Sequence, residues 1–245
     1  MILHIPHSHP VIPKQYSYQY LISEDELYEQ HKRLNDWYVH ELFHHLKANV
    51  IDFPFSRLFV DVERYENDQN EPMSAVGMGR FYLKTIEGKK LRYISEIARK
   101  SLDYYYNAHH ERLSNSTLGR LKVKGKALIV DCHSFPSKPL ACDINQDTER
   151  PDICLGFDEY HLEEKTLYLV QEYFRLCGFS VGINYPYAGT IVPASFYRKV
   201  SEVQSIMIEI NRNLYMNEQT LEKKPNFELL KNCINQVLDM LYRRK

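Results

Sequence analysis

Two histidines in this sequence stand at the ends of short apolar runs, each directly before a serine. His7 follows the run from Ile2 to Pro6, and His133 follows the run from Ala127 to Asp131. Runs of this kind are typical of buried strands that lead into turns. Loops beyond the carboxyl ends of parallel strands meet in one crevice, so the two imidazoles would lie together. Paired neutral imidazoles are typical ligands of a catalytic zinc ion, whereas a single histidine there would more often be structural.

Two acids, Asp61 and Glu63, close a third apolar run and stand between two arginines, Arg57 and Arg64. Side chains alternate along a strand, so both acids would share one face. One interpretation is a solvated strand end. The other makes Asp61 or Glu63 the carboxylate that completes a zinc triad, with Arg57 or Arg64 holding an anionic substrate group.

Two further acids lie within apolar runs. Asp131 precedes His133 by two residues and would share its strand face, where it could fix the tautomer of a ligand histidine or simply be a buried structural residue. Glu209 lies inside the run from Ser205 to Ile210. A buried glutamate needs a partner such as Arg212 or a functional role, and burial would raise its pKa towards the range of proton transfer.

The remaining motifs are less specific. The segment from Tyr185 to Thr190 predicts a rigid turn in which Gly189 could bring the backbone close to a ligand, or an ordinary loop. Ser8 and Ser134 lack the context of a nucleophile elbow, although a serine triad stays open. Seven other histidines lie on helical patterns or their flanks and are interpreted as packing or surface residues: His31, His40, His44, His45, His109, His110 and His161.

Alternating strands and helices must position these side chains. The predicted strands are Ile2 to Pro6, Val50 to Phe53, Leu58 to Val62, Ala127 to Asp131, Phe179 to Asn184 and Ser205 to Ile210. The predicted helices run from a capping box at Ser23 and Glu26 to Leu46, from Leu91 to Leu113, from Leu162 to Cys177, and onwards from Asn226. This alternation predicts a single α/β domain over residues 1–245, with a mixed, mostly parallel sheet and helices on both faces.

Two segments depart from that alternation. Residues 80–91 predict a small hairpin inserted at one edge, and the polar stretch 65–74 is a long loop of the kind that often forms lids.

Composition narrows the class of protein. A formal net charge of -1 with no basic block gives no support to nucleic-acid or membrane-surface binding. Five cysteines without paired spacing argue against a disulfide framework. No signal-peptide pattern or membrane-length apolar run is present in the sequence, so a cytoplasmic protein acting on a small molecule is expected, with its oligomeric state open.

Taken in order, several motifs resemble those of the N-formylglutamate amidohydrolase family. They are Pro6-His7-Ser8, Asp36-Trp37-Tyr38-Val39, Ser56-Arg57 through Asp61 to Arg64, Asp131-Cys132-His133-Ser134, Asn184-Tyr185-Pro186-Tyr187-Ala188-Gly189, and Ile208-Glu209-Ile210-Asn211-Arg212-Asn213-Leu214-Tyr215-Met216. Two positions depart from the family pattern: His9 stands in place of a glycine and Glu63 in place of an asparagine. The resemblance implies a phosphorylase/hydrolase-like fold related to zinc exopeptidases. It also implies metal-dependent hydrolysis of an N-acyl acidic amino acid, such as N-formylglutamate to formate and glutamate.

From the residues and this resemblance together, we expect His7, His133 and a carboxylate, Asp61 rather than Glu63, to bind Zn²⁺. Glu209 would be the general base, and Arg64 and Arg212 would grip substrate carboxylates or stabilise the oxyanion. The expected substrate-binding residues are Arg57, Asn184, Tyr187, Gly189 and Asn211. Two alternatives stay open: a zinc hydrolase for another acylated amino acid or short peptide, and a metal-free binding protein on the same fold.

Overall fold

The apolar runs form the strands of one six-stranded sheet in the computed structural model, which describes residues 1–244. The strands are β1 (Ile2–Ile5), β2 (Asn49–Asp52), β3 (Ala127–Phe135), β4 (Ile153–Gly156), β5 (Val181–Ile183) and β6 (Val203–Asn211). Their spatial order is β2-β1-β3-β6-β4-β5. The first four strands in that order run parallel, whereas β4 is antiparallel to β6 and β5 is parallel to β4. The predicted single-domain α/β fold with a mixed, mostly parallel sheet is therefore confirmed.

Five α-helices accompany the sheet in residues 1–244, with three short 3₁₀ segments. The helices are α1 (Glu24–Leu34), α2 (Val39–Leu42), α3 (Glu96–Lys124), α4 (Glu164–Leu176) and α5 (Phe227–Arg243), and the 3₁₀ segments are Lys14–Gln19, Pro72–Val76 and Arg212–Leu214. The capping box that begins α1 forms as predicted, because Ser23 and Glu26 bind each other's backbone amides. None of these helices is long and apolar enough to cross a membrane.

The inner strands β1, β3, β4 and β6 are buried on both faces, which explains their nearly continuous apolar sequences. On one face, Ile2 of β1 and Ile129 of β3 cluster with Leu113 of α3. On the other face, the neighbouring residues Leu3 and Val130 belong to a larger core that includes α2, α4 and α5. Because side chains alternate, His4, Asp131 and His133 share the α3 face with Ile2 and Ile129.

The helix boundaries differ from the sequence expectation at two places. The first predicted helix stops at Leu34 instead of continuing to Leu46, because the amide of Asp36 donates to the carbonyl of His7 and turns the chain towards β1. The second begins at Glu96, capped by Ser95, and continues beyond Leu113 to Lys124. Strand β4 has no counterpart among the strands expected from sequence.

The expected strand from Leu58 to Val62 is wrong: this segment is a buried turn. Its apolar side chains pack into two clusters beside the sheet. The hydrophobic pattern therefore reflects the burial of these side chains and does not indicate an extended backbone. Side chains satisfy its backbone carbonyls, since Tyr20 donates to the carbonyl of Leu58 and Arg92 to that of Phe59. The turn, and not strand alternation, therefore positions Asp61 and Glu63.

Residues 77–92 form an irregular ladder over this turn. The amide of Leu83 donates to Gly77, and the amide of Leu91 donates to Leu83. Isolated bridges join Met78 to Tyr82 and Lys84 to Lys90. This ladder brings the phenol of Tyr82 to Asp61.

Candidate metal centre and active site

His7 and His133 meet at the carboxyl ends of β1 and β3, with their ring centroids 5.2 Å apart. The two strands are parallel neighbours, and β2 and β6 lie on their outer sides. From β1 the chain continues to β2 on one side, whereas the later strand β3 lies on the other side of β1. Crevices of α/β sheets form at such reversals of strand order. Both histidines are buried. The expected convergence of the two imidazoles is present in the structure.

Glu63 reaches both histidines from the turn after the second β-strand. Its Oε2 lies 3.0 Å from Nε2 of His133 and 3.7 Å from Nδ1 of His7. One ligand atom from each of these three residues lies within 4.8 Å of the others. Nδ1 of His7 is buried and has no hydrogen-bond partner within residues 1–244. The two imidazoles and the carboxylate form a set that could hold a metal ion, and the unsatisfied nitrogen of His7 is one of its ligand atoms.

Asp61 lies behind His7, on the side away from Glu63. Its Oδ1 is 2.8 Å from Nε2 of His7, while its Oδ2 accepts from Arg57 at 2.9 Å and from Tyr82 at 2.8 Å. Burial opposes its ionisation, but Arg57 and His7 outweigh burial and hold the pKa of Asp61 well below its usual value. Because an ionised carboxylate only accepts hydrogen bonds, Nε2 of His7 carries a proton, and in the neutral ring Nδ1 is the nitrogen with the lone pair.

Asp36 has the corresponding position behind His133. Its Oδ2 lies 3.1 Å from Nδ1 of His133, and its Oδ1 accepts from Arg212 at 3.0 Å. Burial opposes ionisation of this carboxyl too, but His133 and His7 keep the pKa of Asp36 below its usual value. Asp36 belongs to one of the motifs of the family resemblance, but no role is predicted for it from the sequence. An acid directly after a helix end is a weak signal, because such residues are usually solvated.

Carboxylates crowd around His133. Besides Asp36 and Glu63, Oδ1 of Asp131 lies 3.0 Å from its Nε2. Burial lowers the pKa of His133, but Glu63 and Asp131 reverse this effect and raise the pKa well above its usual value. The site therefore favours a positive charge at the position of this imidazole, which suits a cation-binding centre.

Arg212, expected to act in catalysis, donates to protein groups from each of its three guanidinium nitrogens. Besides Asp36, it donates to the hydroxyl of Ser134 at 3.2 Å and to the carbonyl of Arg33 at 2.6 Å. It pairs with Asp36 and not with Glu209, which sequence analysis offered as its partner. The guanidinium therefore holds Asp36 and the end of β3 in place.

Arg64 is the more available guanidinium. Its side chain is 25% exposed, and it lies 3.5 Å from Asp61 and 3.7 Å from Glu71. Its Nε is buried without a hydrogen-bond partner in the described chain. Arg57, in contrast, donates to Asp61, Tyr82 and the carbonyl of Leu34. Of the three arginines expected from sequence, Arg64 has the most donor capacity left for a ligand.

Glu209 faces this centre from β6, opposite His133 in the strand register. It is buried, and its Oε2 has no hydrogen-bond partner among the described residues. Burial raises the pKa of Glu209 to about 7, although His133 opposes this effect. A carboxyl group with such a pKa can both take and release a proton near neutral pH.

The four other expected substrate residues support loops beside Glu209. Asn184 accepts from the amides of Phe157 and Gly189 through its Oδ1. Tyr187 accepts from Arg150 at 3.0 Å, and Asn211 donates to the carbonyl of Pro151. Gly189 has a φ of 85°, a conformation that glycine adopts without strain. These bonds fix the loop shape, and substrate contact by these residues stays a prediction.

His4, for which the sequence predicts no role, lies fully buried next to this centre. Its Nδ1 is 2.7 Å from Oδ1 of Asp131 and 3.5 Å from Oε1 of Glu63, and its Nε2 is 2.8 Å from Nε2 of His109. His4, Glu63 and Asp131 form a second group with ligand atoms within 4.8 Å of one another. One signal could have identified His4: it is a histidine inside an apolar strand. In the structure it lies on the same face of the sheet as its register partner Asp131.

Solved structures resemble this fold over nearly its whole length. A crystal structure of N-formylglutamate amidohydrolase from Ralstonia eutropha JMP134 matches with a TM-score of 0.81 and 20% identity, covering 96% of this chain and 90% of that one. The structure of a gene product from Agrobacterium tumefaciens matches with a TM-score of 0.66 and 19% identity, covering 98% and 91%. No curated protein sequence matches the chain. The N-formylglutamate amidohydrolase family profile matches residues 1–216. The chain therefore belongs to the N-formylglutamate amidohydrolase family.

Proposed function

We propose that this protein is a zinc-dependent amidohydrolase that cleaves the formyl amide of N-formylglutamate to give formate and glutamate. Family membership supports an amidohydrolase. The observation that carries the metal dependence is the meeting of His7, Glu63 and His133, with ligand atoms within 4.8 Å of one another. A related zinc hydrolase for another acylated amino acid would use the same centre, so the test below includes other substrates.

The proposed zinc ligands are His7 through Nδ1, His133 through Nε2, and Glu63 in preference to Asp61. The two imidazoles donate their other ring N–H groups to Asp61 and Asp36, which are 2.8 Å and 3.1 Å away. Such carboxylates fix the tautomer and the ring orientation of ligand histidines. Asp61 has this supporting role because its oxygens are already bound by His7, Arg57 and Tyr82. When bound, zinc supplies a Lewis acid and lowers the pKa of a water ligand to roughly 7.

Glu209 is the proposed proton carrier. It takes a proton from the attacking water and returns a proton to the leaving nitrogen. Its pKa of about 7, which burial produces, suits both directions of transfer at neutral pH. Its place opposite His133 in the register puts it beside the proposed metal centre.

Arg64 is the proposed group that binds a substrate carboxylate. Its Nε is buried and without a hydrogen-bond partner in residues 1–244, so a substrate oxygen would satisfy it. Arg212 is a positioning residue in this scheme, because it holds Asp36 against His133. An acidic substrate would therefore meet a guanidinium that is only loosely paired, at 3.5 Å from Asp61 and 3.7 Å from Glu71.

The test is hydrolysis by the purified, zinc-loaded full chain of N-formylglutamate, N-acetylglutamate and N-formylmethionine. We expect N-formylglutamate to give the highest kcat/KM, and chelation to abolish activity that zinc restores. His133→Ala should lose the zinc ion of this centre and the activity. Preference for another compound would redirect the substrate assignment, and full metal content and activity in His133→Ala would refute the ligand assignment.

Glu209→Gln separates the proton carrier from the metal centre. This nearly isosteric change should leave zinc stoichiometry intact and lower kcat by about 10²–10⁴-fold. Elemental analysis and steady-state kinetics on the same preparation measure both. A variant that keeps its zinc and loses only a fewfold in kcat would remove Glu209 from this role.

A further inference from the structure

We propose that the protein has a second divalent-metal site, formed by His4, Asp131 and Glu63, so that Glu63 bridges two metal ions. This inference rests on the proposed function only in taking His7, Glu63 and His133 as the first site. The ligand would be a transition-metal ion such as Zn²⁺ or Mn²⁺, because one imidazole and two carboxylates suit both.

The two oxygens of Glu63 face two different sets of ligand nitrogens. Its Oε2 lies 3.0 Å from His133 and 3.7 Å from His7, whereas its Oε1 lies 3.5 Å from Nδ1 of His4. One ligand atom each from His4, Glu63 and Asp131 lies within 4.8 Å of the others. A carboxylate placed in this way can give one oxygen to each of two ions. Paired ions about 3.5–4 Å apart are common in hydrolytic enzymes.

Asp131 is oriented for the same purpose. Its Oδ2 accepts from the backbone amide of Ile191 at 3.1 Å, which fixes the carboxylate plane. Its Oδ1 is shared by two imidazoles, at 2.7 Å from His4 and 3.0 Å from His133. The ladder between β1 and β3 sets this arrangement, because His4 and Asp131 are register partners on one face of the sheet. The donor atoms are therefore held by regular structure and not by a loop.

His109 of α3 gives His4 the outer support that a ligand histidine usually has. The two Nε2 atoms lie 2.8 Å apart, and His109 is itself buried. If Nδ1 of His4 binds a metal ion, its Nε2–H donates to Nε2 of His109. In the alternative without a second ion, Nδ1–H of His4 donates to Asp131 and His109 donates to His4. Both arrangements give each ring nitrogen of His4 a partner, so counting the bound ions distinguishes between them.

The first experiment counts metal ions on the wild-type full chain. The protein is stripped with a chelator and titrated separately with Zn²⁺ and Mn²⁺. Bound metal per chain is then measured by elemental analysis after free metal is removed. We expect two ions per chain with at least one of the two metals. A plateau at one ion with both metals would overturn the second site while leaving the proposed function intact. Binding of neither metal would overturn both.

A substitution then assigns the second ion. His4→Phe keeps a planar ring in the strand and removes the ligand, so we expect it to bind one ion. His161→Phe is the matched control, because His161 is another fully buried histidine, and within residues 1–244 its ring forms hydrogen bonds only with backbone groups of Val203 and Arg198. The control should bind two ions. Two ions on a folded His4→Phe would overturn the assignment.

His109→Ala gives an independent measurement if His4→Phe does not fold. Loss of an outer-shell partner typically weakens metal affinity by about 10–100-fold. We therefore expect weaker binding of the second ion, with the first ion and the saturating stoichiometry unchanged. Equal affinity of the second ion in His109→Ala and wild type would count against the site.

Discussion

Each of the two central histidines has one ring nitrogen tied to an ionised carboxylate. Asp61 lies 2.8 Å from Nε2 of His7, and Asp36 lies 3.1 Å from Nδ1 of His133. The remaining nitrogens point to Glu63. Because a carboxylate can only accept, the ring nitrogens next to Asp61 and Asp36 carry protons, and a cation between the rings would take the place of a proton on the other nitrogen of His133. At the scale of single residues, the two supporting carboxylates thus fix the orientation of both rings towards Glu63.

Glu209 should link the stability of the metal-free protein to pH. Burial raises its pKa from 4.5 to about 7, so the folded state holds this proton more tightly than the unfolded state. The resulting stabilisation is fully present below the unfolded pKa and is lost as the pH rises through the folded pKa. Relative to Glu209→Gln, the wild type should lose about 3 kcal/mol of unfolding free energy across that interval. Denaturant unfolding in chelator at a series of pH values measures this difference, and parallel curves for the two proteins would contradict it.

Arg64 should determine recognition of a substrate carboxylate. Hydrogen bonds to charged groups contribute about 1.5–3 kcal/mol, so Arg64→Ala should lower kcat/KM for N-formylglutamate by about 10–100-fold. The penalty should disappear for an analogue that lacks the recognised carboxylate. N-formylglutamine and the α-amide of N-formylglutamate are the two matched analogues. Equal losses on all three compounds would show that Arg64 acts in some other way.

At the scale of elements, short irregular segments add carboxylates to the side chains that the strands supply. β1 and β3 supply His4, Asp131 and His133, but the buried turn after Ser56 supplies Asp61 and Glu63. The early end of α1 brings Asp36 to the backbone of His7. The carboxylates of the centre thus come largely from segments without periodic structure. Their positions depend on packing against the sheet.

The end of β4 illustrates how tightly these segments approach each other. A Cβ atom at Gly156 would overlap the carbonyl oxygen of Gly189 and the side chain of Met207. Gly156→Ala should therefore destabilise the protein by about 1–3 kcal/mol. Gly119→Ala is the control: it lies within α3 with no atom near the added methyl, and it should stabilise by about 0.4–1 kcal/mol. Thermal unfolding compares both variants, and equal melting temperatures would contradict the close approach.

At the scale of the whole molecule, the centre joins parts of the chain that are far apart in sequence. His7, Glu63 and His133 come from three separate regions and meet where β1 and β3 lie side by side in the sheet. A metal ion bound there would cross-link these regions in the folded state alone. Binding would then add to global stability by mass action.

Metal removal should therefore lower the melting temperature of the whole domain. At a zinc concentration 100-fold above Kd, the stabilisation relative to metal-free protein is about 2.7 kcal/mol. Differential scanning calorimetry with chelator and with added zinc measures the shift. His133→Ala should show a smaller shift than the wild type, because it loses a ligand of the His7, Glu63 and His133 centre and keeps only the ligands of the second site. A shift in that variant equal to the wild type would place the stabilising metal elsewhere.

The sequence by itself determined most of the periodic elements and the chemical types of the site. Apolar runs predicted β1, β2, β3 and β6, the capping box placed the start of α1, and the ordered motifs indicated the family that the comparisons show. These signals are local, since they depend on hydrophobic period, caps and residue identity along the chain.

Only the tertiary structure decided where each carboxylate lies around the two histidines. The run from Leu58 to Val62 has the hydrophobicity of a strand, yet it is a turn, so strand alternation could not place Asp61 and Glu63. Asp36, His4 and His109 joined the centre through contacts across 97, 127 and 105 residues of chain. Local propensity carries no information about such contacts, because burial against distant segments sets the side-chain positions, the tautomers and the pKa values.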